Sequence, residues 1–445
     1  MQVRLQGQQR LRGEVILPAD KSMLHRALIL GALSAGETQI MAGHFGDDNR
    51  RTLANLQALG ASLTEVDGGF AIVGNREMLS APCEILDCGN SATTMRLLLG
   101  VCAGLGIKAR FDGDASLRTR SMQSLIDVFA GCGIDIVSQN GCAPLELRGG
   151  TFKGGEVVLP HASAQLKSAV LLAALVANEA VQVIEPGESR DHTERMLAMA
   201  GVQVEVQRKS NATHICLSKG QKLKKRDWQV PGDFSSASFL LAAALGLPDS
   251  EIIVRGVGLN GTRTGFLEIL QEYGAEYGIE HWSEGEGEAL GDVWVKSSKL
   301  NAKQAGDKPT RIGADILGRL LDEVPVLAVL ATQAVGVTQF CDLGPLRNKE
   351  SDRVQETAKL LEAFGARIEI HANRLDVYGP TTLKATQVEV GHDHRLALCA
   401  FVLALLAEGE STLNGFESVE VSFPGFRDIL KQLEGGSGFE HIHRV

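Results

Sequence analysis

The sequence has little that announces a compartment or a cofactor. Its eight cysteines, at 83, 88, 102, 132, 142, 216, 341 and 399, show no paired CxxC spacing and no tight framework. That excludes the usual zinc sites and a disulfide scaffold, and suggests the reduced, mostly buried thiols of a cytoplasmic protein. Long apolar runs are missing: LALCAFVLALLA stops near a dozen residues, short of the ~20 that span a bilayer. MQVRLQGQQRLRGEVILP lacks the apolar centre of a signal peptide, so no membrane role is expected. Excess positive charge is missing too. With 44 Lys and Arg against 54 Asp and Glu, the net charge of −10 withholds the basic surface that nucleic acid needs, and any local cluster of cations stands out. GxxxxGK(S/T), GxGxxG after a strand, and GxSxG are all absent, so nucleotide, dinucleotide and serine-hydrolase readings have no support. Only three Trp and three Tyr stand against 50 Gly, a balance that points to tight turns joining helices of small residues.

What is present is a unit that returns six times: a polar cluster, a small and apolar helix of about three turns, a stop, then a β-branched strand. The units start at Lys21, Asn90, Ser163, Ser235, Asp322 and His394, which lie 69, 73, 72, 87 and 72 residues apart. Each unit also carries a second helix with one polar face that ends in Gly before a strand, as in RTLANLQALGASL and VQETAKLLEAFGARIEI. The first helices are apolar all round and should be buried, whereas the second should lie outside. The long interval holds HWSEGEGEALGDVWVKSSKLNAKQAGDKPT, residues 281 to 310, which reads as a strand plus a surface loop. Three units closing on their buried helices make a domain, and six make two, with the seam near VPGDFSSAS.

The polar residues gather at the starts of the apolar helices (DKSMLHR, CGNSATTMR, HASAQLKS, GDFSSAS, LLDEVP, GHDHR) and in the loops SLRTR, ESRDHTER, NGTRTG and LRNKESDR. Cations at a helix start oppose its partial positive charge by roughly 0.3–1 kcal/mol each, so Lys21 and Arg26 look misplaced unless an anion binds there. Each element alone has a plainer reading. Ser163, Ser235 and Asn90 can be N-caps, Asp322 can be a cap, and Lys349 and Arg353 can share the face of a solvated helix start. His392 and His394 form HDH without a third ligand at recognisable spacing, so no metal is expected, and HIH at 441–443 has no apparent partner.

Taken in order, DKSMLHR, GNSATTMR, GDASLRTRSM, SAQLKSAVLLAAL, SRDHTERM, VPGDFSSASF, DEVP, LRNKESDR, HDHRLALC and SFPGF resemble the enolpyruvyl transferase family along nearly the whole chain. The resemblance implies an α/β fold of two inside-out barrel domains built from six βαβαββ repeats. The first domain would hold residues 17–232, the second 1–16 plus 233–445, with the site in the cleft between them. It implies no cofactor, no metal, a monomer, and two small substrates, phosphoenolpyruvate and shikimate 3-phosphate. On this footing Lys21, Ser22, Arg26, Ser163, Gln165, Arg190, Asp322 and Lys349 would hold shikimate 3-phosphate, and Lys21, Asn90, Ala92, Arg120, Gln165, Arg353 and Arg395 would surround phosphoenolpyruvate. Asp322, Glu350, Lys21 and Lys349 would carry the chemistry, with Asp322 taking the proton of the attacking hydroxyl and Glu350 protonating the methylene carbon.

Ala19, Leu24 and Asn348 depart from the family's usual wording, and Val421 stands where some members have a lysine. A different acceptor is the main alternative these departures raise: a modified cyclitol acid, or the UDP-N-acetylglucosamine used by a sister enzyme. A catalytically dead scaffold is the alternative from another class, and it would leave Asp322, Glu350 and the arginines without a chemical purpose. Ala92 is a sharper departure, because many members carry Gly there; its methyl group is expected to narrow the space beside phosphoenolpyruvate and to weaken glyphosate more than substrate.

Overall fold

The structure, a computed structural model, describes residues 1–433 except 210, 286, 305–307 and 348. Asn348 and the HIH of 441–443 therefore lie outside the described residues. The chain divides into two compact units. The first comprises Ala19–Val230 with Gly285–Glu288, and the second Met1–Pro18, Pro231–Glu284 and Ala289–Val445.

The helices of the first unit are α1 (Lys21–Leu33), α2 (Asp47–Ala58), α3 (Ala92–Leu105), α4 (Gln123–Gly131), α5 (Ala164–Ala177) and α6 (His192–Met199). Helices α1, α3 and α5 are apolar on every side and bury nearly all their residues, with Leu28, Leu98 and Leu171 fully enclosed. Each such leucine contributes about 1.5–3 kcal/mol by leaving water. Small residues bring α3 against α5: a Cβ on Gly100 would sit 2.4 Å from the carbonyl oxygen of Ala169, and one on Gly104 2.3 Å from that of Ala173. Any larger residue at these two places forces the helices apart. By contrast α2 keeps an exposed polar face, but α6, expected outside, buries His192, Thr193 and Glu194, whose side chains bond partners within the protein.

Three four-stranded sheets complete the unit, and they follow one pattern. Gly155–Val158 runs parallel to Val181–Pro186, which pairs antiparallel with Ala212–Leu217, and that strand with Val204–Lys209. Leu86–Asp87, Ala109–Asp112, Cys142–Gly150 and Ile134–Gln139 repeat the order. In the remaining sheet the parallel strand beside Gly36–Met41 is Trp228–Gln229, from the far end of the unit's sequence.

The second unit holds α7 (Phe234–Gly246), α8 (Gly265–Glu272), α9 (Ala314–Leu317), α10 (Val324–Ala331), α11 (Arg353–Ala363), α12 (His394–Leu406) and α13 (Phe426–Gln432). Its buried helices α7, α10 and α12 meet around Leu240, Leu327 and Leu403, in a core separate from that of the first unit. The beginning of the chain supplies two of its strands. Arg12–Ile16 runs parallel to Glu251–Gly258, and Gln2–Gln6 pairs antiparallel with Glu410–Asn414. Each unit is thus an inside-out α/β barrel, with helices within and sheets outside.

Residues 281–310 combine strand and connecting segments, as expected: Glu276–Ser283 pairs with Leu290–Lys296 in a hairpin, and Lys303–Gln304 with Lys308–Ile312. Two local expectations change. Helix α10 begins at Val324, so Asp322 lies in the turn ahead of it, with Pro325 near the helix start where its missing N–H costs nothing. Helix α11 begins at Arg353, capped by Asp352, so Lys349 precedes the helix and shares no helical face with Arg353.

Among the described residues no helix is long and apolar enough to cross a membrane. All eight cysteines are free, five of them buried, and burial pushes the Cys102 thiol up to about 12 and that of Cys132 to about 11.

Candidate functional site

In the first unit, the side chain of Asp20 caps α1 by accepting from the Met23 N–H at 2.9 Å. Ser91 caps α3, accepting from Thr94 at 3.2 Å, and Ser163 caps α5, accepting from Leu166 at 3.3 Å. Asn90 is therefore not the cap but its neighbour. Its amide donates to Asp114 Oδ2 at 2.7 Å, while its side-chain oxygen and its backbone carbonyl both accept from Arg120. Arg120 is thereby held beside the first turn of α3, where Ala92 is the first helical residue. Gln165, in the first turn of α5, donates to Thr93 Oγ1 at 2.9 Å and accepts from Arg96, so both ends of its amide are fixed from α3.

Lys21 opens α1 and places Nζ 2.8 Å from Asp48 Oδ2 on α2. Ser22 gives its backbone carbonyl to Arg26 Nη1 at 2.8 Å. Arg26 is only 4% exposed, and hydroxyl groups take its other donors: Thr193 Oγ1 at 2.6 Å from Nε and Ser168 Oγ at 2.8 Å from Nη2. Burial pulls this guanidinium down to about 10, with the like charge of Arg190 adding to the fall and Glu194 and Asp20 opposing it. At neutral pH it stays a cation whose hydrogen-bond partners are neutral. Three helix N-termini, each worth about half a positive charge, thus share the unit with Lys21, Arg26, Arg120 and Arg190. Such a set can hold a phosphate and a carboxylate by charge-assisted bonds.

In the second unit all three buried helices start on acids. Asp233 caps α7, Glu323 precedes α10 and Asp393 caps α12. Ser235, read as a possible cap, lies inside α7, where its hydroxyl donates to Glu323 and accepts from Arg263. Arg353, with a side chain 1% exposed, holds three carboxylates: Asp393 Oδ2 at 2.9 Å from Nε, Glu350 Oε2 at 2.5 Å from Nη2, and Asp322 Oδ1 at 3.2 Å from Nη1. Burial alone would lower the pKa of this guanidinium, but Asp393, Glu350 and Asp322 outweigh it and raise the value above the ordinary one. Asp393 is in turn held below the usual carboxylate range: its burial and Glu350 oppose this, while Arg353 and His394 favour it.

Asp322 and Glu350 keep 14% and 18% of their side chains exposed, so they are the members of this cluster open to a reactant. Asp322 also has Lys349 Nζ at 3.6 Å and Arg395 Nη2 at 3.5 Å, and its backbone carbonyl accepts from Arg395 Nη1 at 3.4 Å. Three acids and three cations therefore share one cluster, which suits proton transfer next to a bound anion.

Several of the groups holding this arrangement carried no role in the sequence reading: Asp48, Thr93, Arg96, Glu323 and the fully buried Asp393. In the sequence Asp393 stands only as the middle of HDH, a pattern without a third ligand at recognisable spacing. Its actual partner is a guanidinium. Glu369, His371 and Asp376 do gather their ligand atoms within 4.8 Å, but Arg374 sits among them, 2.9 Å from His371 Nε2 and 2.9 Å from Asp376 Oδ1, already supplying positive charge.

Residues 5–430 match the family model of EPSP synthase (3-phosphoshikimate 1-carboxyvinyltransferase). The chain belongs to the EPSP synthase family. A relative in Synechococcus sp. (strain JA-3-3Ab), named 3-phosphoshikimate 1-carboxyvinyltransferase, is 42% identical over 428 residues, covering 95% of this chain and 94% of that one. The solved EPSP synthase of Acinetobacter baumannii superposes with a TM-score of 0.83 at 32% identity, covering 97% of this chain and 99% of that one. The enolpyruvyl transferase NikO from Streptomyces tendae shares the fold, with a TM-score of 0.72 at 18% identity over 97% of this chain and 96% of that one. The EPSP synthase family match takes in every helix start and loop described above.

Proposed function

We propose that the protein transfers the enolpyruvyl group of phosphoenolpyruvate to the 5-hydroxyl of shikimate 3-phosphate, releasing phosphate and forming 5-enolpyruvylshikimate 3-phosphate on the route to chorismate and the aromatic amino acids. The observation that carries this is the end-to-end family match, joined to a charge pattern that suits the two anionic substrates.

In this reading Lys21, Ser22, Arg26, Ser163, Gln165 and Arg190 receive shikimate 3-phosphate, together with Asp322 and Lys349. Asn90, Ala92, Arg120, Gln165, Arg353 and Arg395 receive phosphoenolpyruvate, and Lys21 serves both. Arg353, being buried among carboxylates, acts by holding Asp322 and Glu350 in place and by its charge, whereas Arg395 and Arg120 are the better placed to bond an oxygen. Asp322 takes the proton of the 5-hydroxyl as its oxygen attacks C2 of phosphoenolpyruvate, and Glu350 gives a proton to C3. The C2–O bond to phosphate in the tetrahedral adduct then breaks, and C3 returns the proton as the enol ether forms. The fixed cations offset charge on the departing phosphate, so the rate comes from positioning and electrostatics. Residues of both units serve one reaction, so turnover requires them to act on the same pair of substrates. The protein works as a monomer on small molecules, without nucleic acid or a membrane, in the cytoplasm, where free thiols persist.

A phosphate-release assay with phosphoenolpyruvate and a panel of acceptors tests the reading. Release with shikimate 3-phosphate is expected. Release only with UDP-N-acetylglucosamine or with another cyclitol acid transfers the chain to one of those activities, and no release with any acceptor favours a dead scaffold.

A further inference from the structure

Behind the start of α5 lies a buried ionic group that this chemistry does not use. Lys167, 1% exposed, places Nζ 2.8 Å from Glu185 Oε1 and 2.7 Å from Glu194 Oε1. Apolar residues of the same size would fill such a place without stripping three charges of water, and that exchange is commonly neutral or stabilising. Stability therefore does not account for the triad. Its geometry does.

Glu185 ends on the phosphate side of the proposed site. Its Oε2 accepts from the Ser163 N–H at 3.4 Å and from Ser189 Oγ at 2.8 Å, and its Oε1 accepts from the Ser189 N–H at 3.3 Å. Lys167 Nζ also approaches the carbonyl of Ser189 at 3.5 Å. One carboxylate thus ties the cap of α5 to the turn that carries Ser189 and Arg190, and one ammonium holds that carboxylate. On the next residues along the same two helices, Ser168 and Thr193 bond one another at 2.5 Å and both bond Arg26. Lys167 and Arg26 balance Glu185 and Glu194, so the framework is neutral as a whole.

We infer that Lys167 and Glu185 are positioning residues that preset Ser163 and the Ser189–Arg190 turn for the phosphate end of shikimate 3-phosphate. The inference rests on the proposed function for the identity of that substrate. Every contact into Glu185 comes from a donor, so the amide of a glutamine presents an N–H to a donor in either orientation. Glu185→Gln still leaves Lys167 paired with Glu194, which keeps the fold.

The expected result for Glu185→Gln is a KM for shikimate 3-phosphate raised at least about tenfold, with the KM for phosphoenolpyruvate and the thermal midpoint near native values. An unchanged KM for shikimate 3-phosphate, or equal rises in both KM values with a fallen midpoint, overturns the inference. Hydrogen exchange of the substrate-free protein gives a second reading independent of any substrate. The Ser163 and Ser189 amides should already be protected in the native chain, and unprotected amides there overturn the inference even if the variant does not fold. A native protein that releases no phosphate counts against the proposed function, and the exchange measurement still decides whether the turn is preset.

Discussion

Arg353→Lys removes the fork that ties three carboxylates together while keeping the charge. An ammonium can approach one of Asp393, Glu350 and Asp322 closely, so two of the three bonds at 2.9, 2.5 and 3.2 Å are lost. Charge-assisted bonds are worth about 1.5–3 kcal/mol each, but Asp322 and Glu350 remain partly in water, which screens their share. The buried Asp393 carries most of the cost, and the net loss comes to about 2–4 kcal/mol. In a unit of this size that lowers the thermal midpoint by roughly 5–10 °C. Trp294 lies in the strand Leu290–Lys296 of the second unit and Trp228 in the first, so fluorescence variants keeping one Trp each can assign the transition. Lys359→Met, at the exposed pair with Glu356 on the same helix, is the control and should change stability by less than about 0.5 kcal/mol. A native midpoint for Arg353→Lys would refute the reasoning, because the three carboxylates would then not depend on the fork.

Four further outcomes follow from the same geometry. Lys21→Met should reduce turnover by at least about a hundredfold while costing about 1–3 kcal/mol of stability, the cost of taking this ammonium from the buried Asp48; a loss of turnover no larger than the loss of folded protein would return Lys21 to a structural role. Asp322→Asn should keep both ligands bound, as seen by calorimetry, and slow phosphate release by about 10²–10⁴-fold; a near-native rate removes Asp322 from proton transfer. Ala92→Gly should tighten glyphosate inhibition more than it changes the KM for phosphoenolpyruvate, because the methyl group at the first position of α3 is the difference; equal inhibition of the two proteins would exclude this. Burial pushes the His25 imidazole from its ordinary 6.5 down to about 3, so between these values the unfolded chain binds a proton that the folded chain refuses. Stability is therefore complete above pH 6.5 and falls as pH drops through that window, at most about 1.4 kcal/mol per pH unit. His25→Asn keeps a partner for Thr52, with which the His25 ring nitrogen bonds at 2.7 Å, and should flatten the dependence in thermal melts.

The buried helices were legible because they are apolar on every side, a pattern that neither an exposed helix nor an edge strand can carry in water. Their sixfold return gave the repeat and, with the motifs, the fold class. The strand partners were less legible. RGEVI at 12–16 has no mark in its own residues that its neighbour is Glu251–Gly258, and WQ at 228–229 is too short to read as the strand beside Gly36–Met41. The hairpin within 276–296 was hidden by its Gly and Glu content, which resembles a loop.

The cations of the site stood out because they oppose the helix N-terminus, a local and countable conflict. Their counter-charges did not. Asp48, Asp393, Glu185 and Glu194 are ordinary acids in sequence, and only the fold brings Lys167 of α5 to Glu185 on a strand or Arg353 of α11 to the cap of α12. Capping was misread by one or two residues at Asn90 and Ser235 for a related reason. Ser91 and Asp233 fit the same preference, and the choice between neighbours depends on where each helix meets its unit.

Phosphorus NMR of the purified protein with both substrates asks whether this chain joins phosphoenolpyruvate to shikimate 3-phosphate. Inorganic phosphate and a new shikimate-phosphate resonance should rise together in equal amounts, and neither should appear when either substrate is left out. Phosphate without the second product, or no change with the pair while another acceptor reacts, would contradict the proposed transfer.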